Sequence, residues 1–109
     1  MRRASVMLLL LAALALPASA AASVRLSHVT SPVSAGSYAT LSVSVSRTAT
    51  CSITVYYKSG PSHAAGLSPQ RGKRITWTWK VGSRTTAGRW PINVSCGSAG
   101  TLHTSFVVT

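Results

Sequence analysis

Serine is the commonest potential nucleophile in this chain, so acyl-transfer chemistry is the first to weigh. A serine nucleophile needs a base and a residue that orients the base, ordinarily Asp or Glu. The 109-residue chain carries 11 Lys and Arg and 3 His but no Asp or Glu. No Gly-x-Ser-x-Gly turn occurs, and Lys58, Lys73 and Lys80, the partners a Ser–Lys pair would need, sit beside expected strand ends where water reaches them. The missing carboxylates also remove carboxylate acid–base catalysis, carboxylate-bound calcium or magnesium, and every Asp or Glu salt bridge. His28, His63 and His103 are widely separated, with no HxxxH or CxxC spacing and no carboxylate to orient an imidazole. The residues imply no enzyme, no metal and no cofactor.

What remains is positive charge. Arg71, Lys73 and Arg74 cluster near the start of one expected strand, Lys58 precedes the connection leading to them, and Lys80 closes the same strand. These five are the candidate anion-binding residues, with Arg84, Arg89, Arg47 and Arg25 scattered around them. Every cation must stay hydrated or meet an external anion: teichoic acid, acidic polysaccharide, extracellular nucleic acid or a lipid surface. Asn93-Val94-Ser95 has the form of a glycosylation sequon.

The first residues set the compartment. Met1-Arg2-Arg3 precedes an apolar run from Val6 to Leu16, which Pro17 breaks and Ala18-Ser19-Ala20 closes. A basic start, a short apolar run and small residues at the cleavage position make a secretory signal peptide over residues 1–20. A membrane-spanning helix would need about 20 apolar residues, and no second stretch approaches that. Cleavage leaves one domain, residues 21–109, outside the cytoplasmic membrane, with the formal charge reduced from +11 to +9 by loss of Arg2 and Arg3. Cys51 and Cys96, the only cysteines, are expected to form a disulfide in that oxidising compartment. Closing so long a loop is worth about 4 kcal/mol in the chain-entropy model, a large share of a small domain's stability.

The elements that must position these residues read as strands. Leu41, Val43 and Val45 alternate with polar residues, as do Cys51, Ile53, Val55 and Tyr57, then Ile75, Trp77, Trp79 and Val81, then Trp90, Ile92, Val94 and Cys96. Alternation of this kind marks half-buried antiparallel strands. Val24 to Val29 and Leu102 to Val108 read as weaker first and last strands, and Ala65 to Ser68 as a short edge strand. Turn residues separate the runs, at Ser34–Ser37, Ser59–Ser62, Gly82-Ser83, Ala87-Gly88 and Gly97–Gly100. All three tryptophans fall in the apolar phase and are expected in the core, leaving Tyr56 as the aromatic expected at the surface. Six or seven strands in this length give an all-β fold, a small immunoglobulin-like β-sandwich, with a small open barrel as the alternative.

The segments Ser37–Leu41, Cys51–Gly60, Trp77–Gly82 and Trp90–Cys96 resemble those of small secreted bacterial immunoglobulin-like domains. The resemblance spans nearly all of the mature chain and implies fold and compartment, with no catalytic residues. It departs from antibody-type domains in placing Cys51 at the head of the third expected strand. The disulfide then joins either two sheets or neighbouring strands of one. Two functions follow. One is a binding module held to anionic envelope or matrix polymers by its basic surface. The other is a protein-interaction module, an adhesion unit or inhibitor, recognising an extracellular protein through loops at one end.

Overall fold

The structure, a computed structural model, describes residues 23–109; the expected signal peptide lies outside the described residues. The six strands are β1 (Val24–Val29), β2 (Tyr38–Tyr57), β3 (Gly60–Pro61), β4 (Gln70–Lys80), β5 (Gly88–Ser95) and β6 (Thr101–Val108), with a 3-10 turn at Gly97–Ala99. They form one curled antiparallel sheet. β1 and β4 flank the first half of β2, β5 pairs with its second half, and β6 pairs with β5. No helix among the described residues is long and apolar enough to cross a membrane.

The two expected strands Leu41–Val45 and Cys51–Tyr57 are thus halves of one 20-residue strand. Extended, 20 residues would reach about 66 Å. Instead the ends of β2 meet: Ala39 pairs with Trp79, whose indole Nε1 donates to the Tyr57 hydroxyl at 3.1 Å. The fold-back lies where the β2–β4 register shifts. Ser44 faces Arg74, but the next pair is Ala49 with Gly72, so the four residues Val45–Thr48 of β2 stand against Lys73 alone on β4. β4 bends with it, since the side chain of Gln70 donates to the carbonyl of Thr76 at 2.9 Å. An insertion on one strand of a pair bends both and lets a strand leave one limb of a sheet for another.

Between the limbs lies a single core. Leu41, Val43, Ile75, Trp77 and Trp79 from the first limb meet Val55, Ile92, Val94, Phe106 and Val108 from the second. Trp79 and Phe106 join them edge to face, with ring centroids 5.7 Å apart. Trp77 and Trp79 are fully buried, as their phase requires. Trp90 is only half-buried, because β5 is leaving the core there and its Nε1 turns to the Thr86 carbonyl at 2.8 Å.

Ala65 to Ser68 does not form a strand. Residues 62–69 instead lie along the unpaired edge of β4, where Trp77 Nε1 donates to the Ser68 carbonyl at 2.8 Å. Gly66, at φ +95°, packs against the Thr78 carbonyl so closely that a Cβ would collide with it. Only glycine combines that dihedral with that approach. The loop covers a sheet edge that would otherwise offer itself for pairing with another chain.

Cys51 and Cys96 are joined. Ser52 pairs with Ser95, so the bridge extends the β2–β5 ladder by one position, with Cα atoms 4.0 Å apart. It links neighbouring strands, and Cys51 lies in the second strand of the chain. After β1 the chain crosses to the opposite limb, where Val33 makes a parallel bridge to Val108.

Candidate anion-binding surface

Alternation along β2 and β4 turns the polar residues outward in matched pairs. Ala39, Leu41 and Val43 are buried, so Tyr38, Thr40, Ser42 and Ser44 face away from the core. On β4, burial of Ile75, Trp77 and Trp79 does the same for Arg74, Thr76, Thr78 and Lys80. Pairing sets Tyr38 beside Lys80, Thr40 beside Thr78, Ser42 beside Thr76 and Ser44 beside Arg74. The hydroxyls of Thr40 and Thr78 lie 3.1 Å apart, those of Ser42 and Thr76 2.9 Å. β1 adds a third row, with Arg25 opposite Ser44, His28 opposite Ser42, and the Ser27 hydroxyl 3.1 Å from that of Ser44.

Two guanidiniums therefore flank Ser44 across three strands. A shallow cleft of about 390 Å³ lies on the β4 side, lined by Ser27, Ser42, Ser44, Arg74 and Thr76. A smaller one of about 210 Å³ on the β1 side is lined by Arg25, Ser44 and Ser46. Both hold hydrogen-bond donors beside a cation, the combination that receives a carboxylate, sulfate or phosphate oxygen.

The five candidates from the sequence do not form one site. Arg74 belongs to the face just described, and Lys80 stands at its far end beside Tyr38. Arg71 lies beyond the bend, opposite Thr50, to whose hydroxyl its Nη1 donates at 3.2 Å. Lys73 is exposed at the bend itself, between the Arg74 and Gly72 pairings. Lys58 is at the opposite end, in the two-residue turn joining β2 to β3.

Lys58 has a partner that linear reading separated from it. The turn at Lys58-Ser59 and the β4–β5 connection enclose a cleft of about 590 Å³ lined by Tyr57, Lys58, Ser59, Gly82, Arg84, Thr85 and Thr86. Burial raises the pKa of Tyr57 above the ordinary value of 10.0, and the hydrogen bond from Trp79 opposes that rise. Tyr57 also meets Trp90 and Phe106 edge to face, at centroid distances of 6.5 and 6.0 Å.

Sequence reasoning missed Tyr38 and left Arg25 and Arg84 as scattered cations outside the candidate set. Tyr38 shows its outward phase only once β2 is extended back to it, and Arg25 joins the face only through its pairing with Ser44. Tyr38 is the exposed aromatic, at 65 % accessibility, whereas Tyr56 is half-buried. The histidines stay apart: His28 on β1, His63 in the connection after β3, and His103 on β6, its Nδ1 2.7 Å from Asn93 Oδ1.

No protein-family model matches the chain, and comparison with curated proteins finds no relative.

Proposed function

We propose that residues 21–109 form a secreted, non-catalytic module of immunoglobulin-like sandwich type that associates with anionic polymers of the cell envelope or matrix. The observation that carries this reading is the state of the cations. All nine Lys and Arg among the described residues are exposed, in a chain with no Asp or Glu to neutralise them. Arg25, Arg47, Arg71, Lys73 and Arg74 gather around the bend of the sheet, and Lys58, Lys80 and Arg84 around the opposite end. The crossing from β1 to a parallel bridge with β6 supports the sandwich reading, because it ties the first segment of the chain to both limbs. The bridge between neighbouring strands departs from the antibody pattern, in which the disulfide spans two sheets. Secretion rests on the N-terminal signal and on the joined cysteines.

Each polymer charge that a cation contacts releases counterions, so log affinity should fall linearly with log salt. The test is a salt titration of polyphosphate binding. Replacing Arg71, Lys73 and Arg74 together with alanine should lower the salt slope by about 2 and leave the fold intact. Failure to bind polyphosphate at low ionic strength would reduce the charge to an aid to solubility. The cleft between Lys58 and Arg84 favours a second reading, in which loops at that end grip an extracellular protein. That reading expects binding that survives high salt and depends on Arg84 rather than Arg74.

A further inference from the structure

The outward face of β1, β2 and β4 differs from the rest of the basic surface in being ordered along its length. From Tyr38 to Ser44 it spans about 20 Å along the strands and, across three strands, about 10 Å in width. At one end the exposed ring of Tyr38 stands beside Lys80. Two rungs of paired hydroxyls follow, Thr40 with Thr78 and Ser42 with Thr76. At the other end Arg25 and Arg74 flank Ser44. The hydroxyls are held by one another at fixed spacing, so each keeps lone pairs free to face solvent.

We propose that this strip, Tyr38–Lys80 through the Thr40–Thr78 and Ser42–Thr76 rungs to Arg25–Ser44–Arg74, binds a short stretch of acidic polysaccharide. The proposal rests on the anionic-polymer reading and narrows it to one face and one ligand class. A sugar ring has an apolar face for the Tyr38 ring and hydroxyls for the Ser and Thr rungs. Its carboxylate or sulfate groups reach the cations at the two ends. A nucleic acid fits less well, because DNA offers no ring hydroxyls to the Ser and Thr rungs and RNA only one per nucleotide. Single-strand binding also relies on successive stacked bases, and this face offers one exposed aromatic. A neutral glycan would leave Arg25, Arg74 and Lys80 without counter-charge.

The test measures binding of the intact disulfide-bonded protein to oligogalacturonate, maltohexaose, oligothymidylate and polyphosphate. Tyr38→Ala should weaken oligogalacturonate binding about tenfold, equivalent to about 1.4 kcal/mol, while polyphosphate affinity changes less than about twofold. Arg74→Ala should weaken both, and Arg71→Ala, beyond the bend, should affect oligogalacturonate least. Maltohexaose should bind more weakly than oligogalacturonate. Tyr38 is exposed, and matched thermal melts of variant and parent verify that the fold is kept; Lys80→Ala serves as a second variant at the same end. The inference is overturned if Tyr38→Ala leaves oligogalacturonate binding unchanged, if it weakens polyphosphate equally, or if oligothymidylate binds more tightly than oligogalacturonate. Any of these with polyphosphate binding intact leaves the broader anionic-polymer function standing. Loss of all polyanion binding by the unmodified protein at low salt defeats both.

Discussion

The two ends of this molecule are held together by different means. At the bend, Arg25, Arg47, Arg71, Lys73 and Arg74 crowd around a strand insertion, and the Cys51–Cys96 bridge lies two positions beyond Ala49. Arg47 reaches across to the Ser98 hydroxyl at 2.7 Å, and Ser46 and Ser23 exchange hydrogen bonds at 2.9 and 3.0 Å. At the other end Tyr57, Trp79, Trp90 and Phe106 interlock edge to face, with fewer cations and no covalent tie. Two cations about 10 Å apart in water repel by about 0.4 kcal/mol, so a cluster of five costs a few kcal/mol at low salt. A disulfide closing so long a loop contributes about 4 kcal/mol, enough to offset that repulsion. The contrast teaches where a protein without acidic side chains can concentrate charge: beside its covalent staple rather than beside packing alone.

The largest expected effect breaks the aromatic end. Trp79→Ala should cost about 3–5 kcal/mol in denaturant unfolding, since a fully buried indole and its bond to Tyr57 are both lost. Trp90→Ala, at a half-exposed site, should cost clearly less, and equal losses would show that the two indoles are not ranked by burial. Next comes the staple. Cys51→Ser should destabilise by about 4 kcal/mol, and the loss should be greater at low salt, where the neighbouring cations are unscreened. A loss independent of salt would separate the disulfide from the charge around it.

Smaller effects sharpen the comparison. Gly66→Ala should destabilise by roughly 1–3 kcal/mol and speed amide exchange along residues 62–69, because the loop must lift from β4 to relieve the collision. Exchange no faster than in the parent protein would mean that the loop yields elsewhere. The smallest effect concerns pH. The folded pKa of Tyr57 is raised, so the unfolded chain ionises first as pH climbs. The stability this group contributes is complete below pH about 10 and is lost as pH rises through the folded pKa. Tyr57→Phe should therefore lose less stability than the parent between neutral pH and pH about 11, and parallel profiles would remove Tyr57 from the alkaline response.

The strands were legible from alternation because inner and outer residues differ so sharply in polarity. Ile75, Trp77 and Trp79 against Arg74, Thr76 and Thr78 admit only one reading. The unity of β2 was not legible: the alternation lapses between Val45 and Cys51, and only the resumption of pairing with β4 at Ala49 shows that one strand continues past the gap. The short strand expected at Ala65 to Ser68 failed for a related reason. The segment is held on the edge of β4 by the Trp77 indole at the Ser68 carbonyl and by the close packing of Gly66 on Thr78, instead of forming a ladder of its own.

The candidate site divides in the same way. Period-two patterning and the absence of acids were enough for an all-β chain, for Trp77 and Trp79 in the core and for a set of exposed cations, because these depend on each residue's own polarity and its immediate neighbours; the same patterning also put Trp90 in the core, where the structure leaves it half-buried. Which cations stand together depends on register, and register is a property of pairs of strands. Arg25 and Arg74 are 49 positions apart in the chain yet flank the same serine, while Arg71 and Arg74, three apart, face different partners across a bend. The disulfide shows the same limit: the two cysteines could be expected to join, but only the pairing of Ser52 with Ser95 makes the bond a tie between neighbouring strands.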